Sequence, residues 1–229
     1  MSYSFQFRDV FAAWDFLLDG LILTLELSLV TMAVGLVIGM AGAAARVYGP
    51  KPIARAVAVY VEAIRNTPLI VQLFLIFFGL PSAGLKFDAN TAAMVALSIN
   101  LGAYTIEIVR AGLEAIPRSQ IEAGQSLGLS PFQIFRYVVI FPALKMMFPA
   151  LASQFVLLML GSSIVSAISA EELTAVTNTL QSTTFRSFEF YFVATAMYLL
   201  MAIGARLLLH AIYWAVFERG RTVERTWSR

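Results

Sequence analysis

The stretch PRSQIEAGQSLGLSPFQIFRYVVIFP, residues 117–142, decides how this chain is read. It is a polar island between long apolar runs. Ser119 followed by Glu122 has the S-x-x-E spacing of a capping box, and Ser130 followed by Gln133 repeats the pattern. Pro131 falls at the first position of a second helix, where a missing N–H costs nothing. Gly128 falls where the first helix must stop in a left-handed residue. The expectation is helix, sharp turn, helix. A connection of roughly 25–30 residues is far longer than closing two adjacent elements requires, and such loops are usually functional or disordered. This one is too well punctuated for disorder. It reads as a rigid part that docks on something.

Outward from the island the chain is apolar. It has 229 residues, 59% hydrophobic and 13% charged, against about 25% charged in soluble domains. Several runs approach the ~20 residues that span a bilayer. The expected fold is an all-α, polytopic membrane helix bundle with five transmembrane helices. The spans fall at about 20–45, 53–79, 89–112, 143–167 and 188–217. Residues 1–19, rich in aromatic and acidic side chains, read as an extracytoplasmic interfacial segment. Residues 113–142 form a cytoplasmic loop and 218–229 a cytoplasmic tail. Asp9, Asp15 and Asp19 precede the first apolar run where a basic leader would stand, so it does not read as a cleavable signal peptide. Between spans four and five, Ser169 is placed to cap a short helix with Glu171 and Glu172 in its first turn.

Basic residues set the orientation. Thirteen of the sixteen Lys and Arg lie at the first turn, at the island, or toward the C-terminus, leaving Arg8, Lys86 and Arg186 on the opposite side. The positive-inside rule puts the island and the C-terminus in the cytoplasm and the N-terminus outside. There is no cysteine, hence no disulfide and no thiolate metal site. No G-x-x-x-x-G-K-[ST] loop and no H-E-x-x-H occur, so neither nucleotide hydrolysis nor metalloprotease chemistry is legible.

Within the spans, Gly35-x-x-x-Gly39 and Gly42 read as packing glycines. Pro68, in Arg65-Asn66-Thr67-Pro68, interrupts the second span and is the candidate hinge. Broken helices are tolerated at membrane depth only against protein or a watery cavity. Glu62 with Arg65, and Glu107 with Arg110, are three residues apart and read as ion pairs within one helix face. Glu26 either points to the outer interface or faces a translocation path. Asn66, Thr67, Gln72, Ser98, Asn100, Tyr104, Gln154, Ser162 and Ser163 are the remaining path candidates, with interhelical hydrogen bonding as the alternative. His210, the single histidine, reads as interfacial.

Three motifs carry a resemblance. Glu122-Ala123-Gly124-x-x-x-Gly128, followed by Ile140-Phe141-Pro142, resembles the EAA loop of bacterial ABC importer permeases. Glu62-x-x-Arg65-Asn66-Thr67-Pro68-Leu69-x-Val71-Gln72-Leu73-Phe74, ending in Phe78-Gly79-Leu80-Pro81, is similar to the polar amino acid permeases of the histidine/glutamine type. So is Gly102-Ala103-Tyr104-Thr105-x-Glu107-Ile108-x-Arg110-x-Gly112. The resemblance spans residues 18–217. It implies the type I importer permease fold in a bacterial inner membrane. It implies a second permease subunit, identical or homologous, a pair of cytoplasmic ATPase subunits and an extracytoplasmic solute-binding protein. ATP and Mg would be bound by the ATPase, with no cofactor or metal in this chain. The loop residues Ser119, Glu122, Ala123, Gly124, Leu127, Gly128 and Leu129 would form the ATPase-coupling surface. Glu122 could reach the ATPase or only cap its own helix. The chain departs from the family pattern at Gly124, where alanine is usual, at Phe141, where leucine is usual, and at Gly161-Ser162-Ser163, where Lys-Asp-Thr-Ser is common. The function implied is ATP-driven import of a polar amino acid by alternating access, with no bond chemistry in this subunit. The rival is a self-sufficient secondary transporter or channel with a merely structural loop. Five spans are few for a transporter built from paired repeats.

Overall fold

The computed structural model describes residues 3–218. Every regular element among them is helical: α1 (Arg8–Ala12), α2 (Trp14–Tyr48), α3 (Lys51–Arg65), α4 (Leu69–Phe74), α5 (Ala89–Glu114), α6 (Arg118–Ser126), α7 (Pro131–Ile134), α8 (Ile140–Gly161), α9 (Leu173–Thr184) and α10 (Ser187–Tyr213). Short π-helical stretches follow α4, α7 and α10, and a 3-10 stretch, Ser162–Ile168, follows α8. Four helical runs are long and apolar enough to cross a bilayer, and the bent pair α3–α4 makes a fifth. The arginines of residues 219–229 lie outside the described residues.

The bundle is built around α5. Some 67% of its apolar window is buried, against 28% for α2 and 17% for the run containing α10, which makes α5 the axis and the others its wall. Asp88 starts it: its carboxylate accepts from the Thr91 backbone N–H at 3.1 Å and from the Thr91 hydroxyl at 2.5 Å. Those bonds hold the Asp88 pKa below its ordinary value. Helix α2 lies along α5 in close contact because glycine replaces side chains on its inner face. A Cβ on Gly35 would sit 2.7 Å from the Leu101 side chain, and one on Gly39 would overlap Thr105. One core joins Leu27, Leu73, Leu97, Leu101, Val165 and Ile168.

The second span is bent by 107° between Arg65 and Leu69. Pro68 (φ −63°, ψ 137°) stands just before α4 and cannot donate to the turn behind it. The carbonyls freed at the end of α3 are recovered by side chains. The Asn66 amide donates to Glu62 O at 2.8 Å and the Thr67 hydroxyl to Ala63 O at 2.8 Å. The Gln72 amide reaches back to Ile64 O at 2.8 Å. Asn100 of α5 donates to Gln72 Oε1 at 3.0 Å and ties the break to the central helix. Broken backbone at membrane depth is thereby satisfied.

Two caps differ from the sequence expectation. Ser119 does not cap α6. The helix starts two residues earlier than a Ser119 cap implies, at Arg118, because Pro117 (φ −60°, ψ 136°) already has the extended geometry of an N-cap, which puts Ser119 inside the first turn. Ser169 does not cap α9 either. It is left-handed (φ 63°) and ends the preceding 3-10 stretch. Glu172 is the N-cap, accepting from the Thr174 and Ala175 backbone N–H groups at 3.0 Å.

Candidate functional site

The island is a compact bracket at one end of the bundle, by the C-terminal ends of α2 and α5 and the N-terminal end of α8. Gly128 adopts φ +74°, where an L side chain is strained. Its N–H donates to Gln125 O at 2.9 Å and that of Leu129 to Gly124 O at 3.1 Å. This is the Schellman pattern, which recovers the last carbonyls of α6. The chain reverses and Ser130 opens α7 with both halves of a capping box: its Oγ accepts from Gln133 N–H and the Gln133 side chain accepts from Ser130 N–H.

One side of the bracket is apolar and buried. Ile116, Ile134 and Val139 pack with Ala43, Val109, Ala143 and Met147, and Ile121 and Leu129 join from α6 and its turn. Gly124 is explained here. A Cβ in its place would meet Ile134 at 3.2 Å, so the smaller residue lets α6 and α7 close on each other. The other side faces outward. Ser119, Glu122 and Ala123 are exposed. Leu127 is 80% exposed, Phe132 75% and Tyr137 70%. The Glu122 carboxylate has no hydrogen-bond partner among the described residues, because Ser119 lies in the helix beside it rather than across the cap. A rigid base under large exposed apolar side chains is the form of a docking surface.

A charged cluster stands above the bracket. Glu107 of α5 is ion-paired with Arg46 of α2, with Arg110 at 2.8 Å and more distantly with Arg65 of α3 at 3.9 Å. Arg110 also holds Glu114 at 2.5 Å. The Arg65 guanidinium lies 5.2 Å from the centre of the Tyr104 ring. Glu107 and Arg110 pair as their spacing suggests. Glu62 and Arg65 do not: the α3 helix turns Arg65 toward α5, and Glu62 stays exposed with no ion pair among the described residues. Three helices are thus fastened to one carboxylate. Arg46 and Arg65 were legible as charges near a boundary, but their convergence depends on how α2 and α3 pack. Glu62, Arg65, Asn66, Tyr104 and Glu107 line a cleft of about 310 Å³.

The path candidates separate. Gln72 and Asn100 are buried and bonded to each other, and Asn66 and Thr67 mend the broken helix. Ser162 and Ser163 donate to carbonyls three residues back, at 2.7 and 2.9 Å. Ser98 is buried, Gln154 half-buried and Glu26 exposed on α2. Glu172, read from sequence as a first-turn residue of the short helix, is instead its N-cap. It is fully buried and also accepts from the Tyr198 hydroxyl at 2.6 Å.

Comparison with known proteins decides the family. The model for binding-protein-dependent transport system inner membrane components matches residues 33–217. The chain belongs to that family. The glutamine transport system permease protein GlnP of Escherichia coli K12 is 34% identical to this permease over 91% of the chain and 96% of its own length. The octopine permease OccM of Rhizobium radiobacter is 33% identical, covering 90% of this chain and 87% of its own. A probable glutamine permease, GlnM of Bacillus subtilis, is 34% identical over 85% of this chain and 90% of its own. A crystal structure of an amino acid ABC transporter with histidines superposes with a TM-score of 0.86 at 37% identity, covering 92% of this chain and 99% of that one. The inward-facing MetNI methionine transporter shares the fold, with a TM-score of 0.76 at 22% identity over 90% and 99%. This permease is therefore a polytopic membrane protein of the amino-acid ABC permeases, with the type I importer fold.

Proposed function

We propose that this chain is the membrane-spanning subunit of an ATP-driven importer that carries a polar amino acid, or an amino-acid-like solute, into the cytoplasm by alternating access. The observation that carries the reading is the bracket: a helix–turn–helix locked from below and presenting Leu127, Phe132 and Glu122 to a partner. It sits at the inner ends of α5 and α8, where a push on α6 is transmitted to both. The partner is a cytoplasmic ABC ATPase dimer, which binds ATP and Mg. A second permease subunit completes the path and an extracytoplasmic binding protein delivers the solute. The basic residues clustered beside the bracket support a cytoplasmic location for it, with the N-terminus outside an inner membrane.

In this cycle the ATPase closes and draws the two brackets together. The Glu107 cluster joins α2, α3 and α5, so those helices move as a unit. The break at Pro68 lets α4 keep a different direction and acts as the hinge.

Vesicles test it. The permease is reconstituted with its ATPase and binding protein, and uptake of labelled glutamine and other polar amino acids is followed with and without ATP. ATP-dependent uptake of at least one of them is expected. Uptake by the chain alone, driven by an ion gradient, would overturn the reading in favour of a secondary transporter.

A further inference from the structure

A groove of about 720 Å³ runs between α8 and α10, on a part of the bundle the coupling mechanism does not use. Its walls are apolar, with Phe148, Val156, Leu157 and Leu209 among them, and it holds two basic side chains, Arg206 and His210. These are one turn apart on α10 and project from the same face. Both are exposed. Arg206 has no ion pair among the described residues, whereas the arginines of the Glu107 cluster all do.

Depth decides what meets that charge. Gly112 of α5 packs directly on Met147 of α8, so these two residues are level. Five residues back along α5 is Glu107, and five forward along α8 is Ala152, each about 7.5 Å farther from the cytoplasm. Ala152 shares the groove with Arg206. Arg206 therefore lies at the depth of the Glu107 cluster, where the apolar spans give way to charge on the cytoplasmic side. An arginine there, facing outward without a carboxylate, extends to the headgroup layer and meets anionic phosphate. The apolar floor beside it has the character of an acyl-chain track. Flanking Leu207 and Leu208 are 65% and 63% exposed, continuing the apolar surface around α10.

We propose that the α8–α10 groove is a binding site for one anionic glycerophospholipid of the cytoplasmic leaflet. Arg206 holds the phosphate, His210 adds a second polar contact, and Leu157 and Val156 line the track of an acyl chain. This rests on the orientation argued above; it does not depend on which solute is carried.

Native mass spectrometry of the full chain in detergent tests it, titrating dioleoyl phosphatidylglycerol against dioleoyl phosphatidylcholine. About fivefold greater retention of the anionic lipid is expected, the worth of one arginine near an anionic surface. Arg206→Gln should bring the two lipids to parity and Arg206→Lys should keep the preference. Leu157→Trp, which fills the groove without changing charge, should reduce retention of both, and it keeps the test alive if Arg206→Gln does not fold. Equal retention by the wild type, or an undiminished preference in Arg206→Gln, would overturn the proposal. Loss of bound lipid to millimolar inorganic phosphate would reassign the site to a soluble anion. Dimerisation abolished by Leu157→Trp, with no lipid preference, would assign the groove to a second copy of the chain.

Discussion

At Gly128 a single backbone angle fixes the aim of the proposed coupling surface. A β-branched residue at φ +74° is strained, and a left-handed L residue costs about 1–2 kcal/mol. Gly128→Val should leave the spans inserted, because the bracket's base is held by Ile116, Ile134 and Val139. It should misdirect Leu127 and Phe132, so ATP hydrolysis continues while uptake falls several-fold. Parallel assays of hydrolysis and uptake check this, and normal uptake would remove the bracket from the mechanism. Glu172 is a second informative residue. Burial raises its pKa above the ordinary carboxylate value, against the opposing effect of the hydrogen bonds it accepts. The folded state therefore takes up its proton more readily than the unfolded chain. Its contribution to stability is full below about pH 4.3 and is lost as pH rises through the raised folded value. Thermal unfolding of the purified permease should show that decline, and Glu172→Gln should flatten it. An unchanged slope in the variant would mean that another group titrates.

The elements differ in how far they could be read from sequence, for physical reasons. Long apolar runs and the Pro68 break were legible because bilayer thickness and the missing proline N–H are local constraints. The turn at Gly128 was legible for the same reason. The caps at Ser119 and Ser169 were misplaced because a serine at the right spacing competes with neighbouring backbone: Pro117 and Glu172 already serve those ends. The partner of Arg65 was missed because it lies on another helix. Gln72 illustrates the limit most clearly. Its polarity in a span was visible, but its task, bonding Ile64 O across the break and Asn100 on α5, exists only in the folded bundle. Gln72→Leu should leave the Asn100 amide without that partner and strip Ile64 O of its shortest hydrogen bond, at a cost of about 1–3 kcal/mol, seen as a lower unfolding temperature. Pro68→Ala restores an N–H and lets α3 run on toward α4, so ATP-driven uptake should slow. Kinetics identical to wild type would refute the hinge.

For the whole molecule, the architecture divides labour. The central α5 holds the helices together, the Glu107 cluster gathers three of them near the bracket, and the bracket offers one exposed face beyond it. The charged cluster and the bracket lie at the same end of the bundle, which the proposed orientation, argued from the basic residues, sets in the cytoplasm. The absence of cysteine makes one experiment unusually clean. Leu127→Cys introduces a single thiol at a site that is 80% exposed. Labelling with a membrane-impermeant maleimide in vesicles of either orientation, with and without the ATPase, tests the central claim directly. The thiol should react only from the cytoplasmic side and become protected when the ATPase binds. Reaction from the outer side, or labelling that the ATPase leaves unchanged, would contradict it.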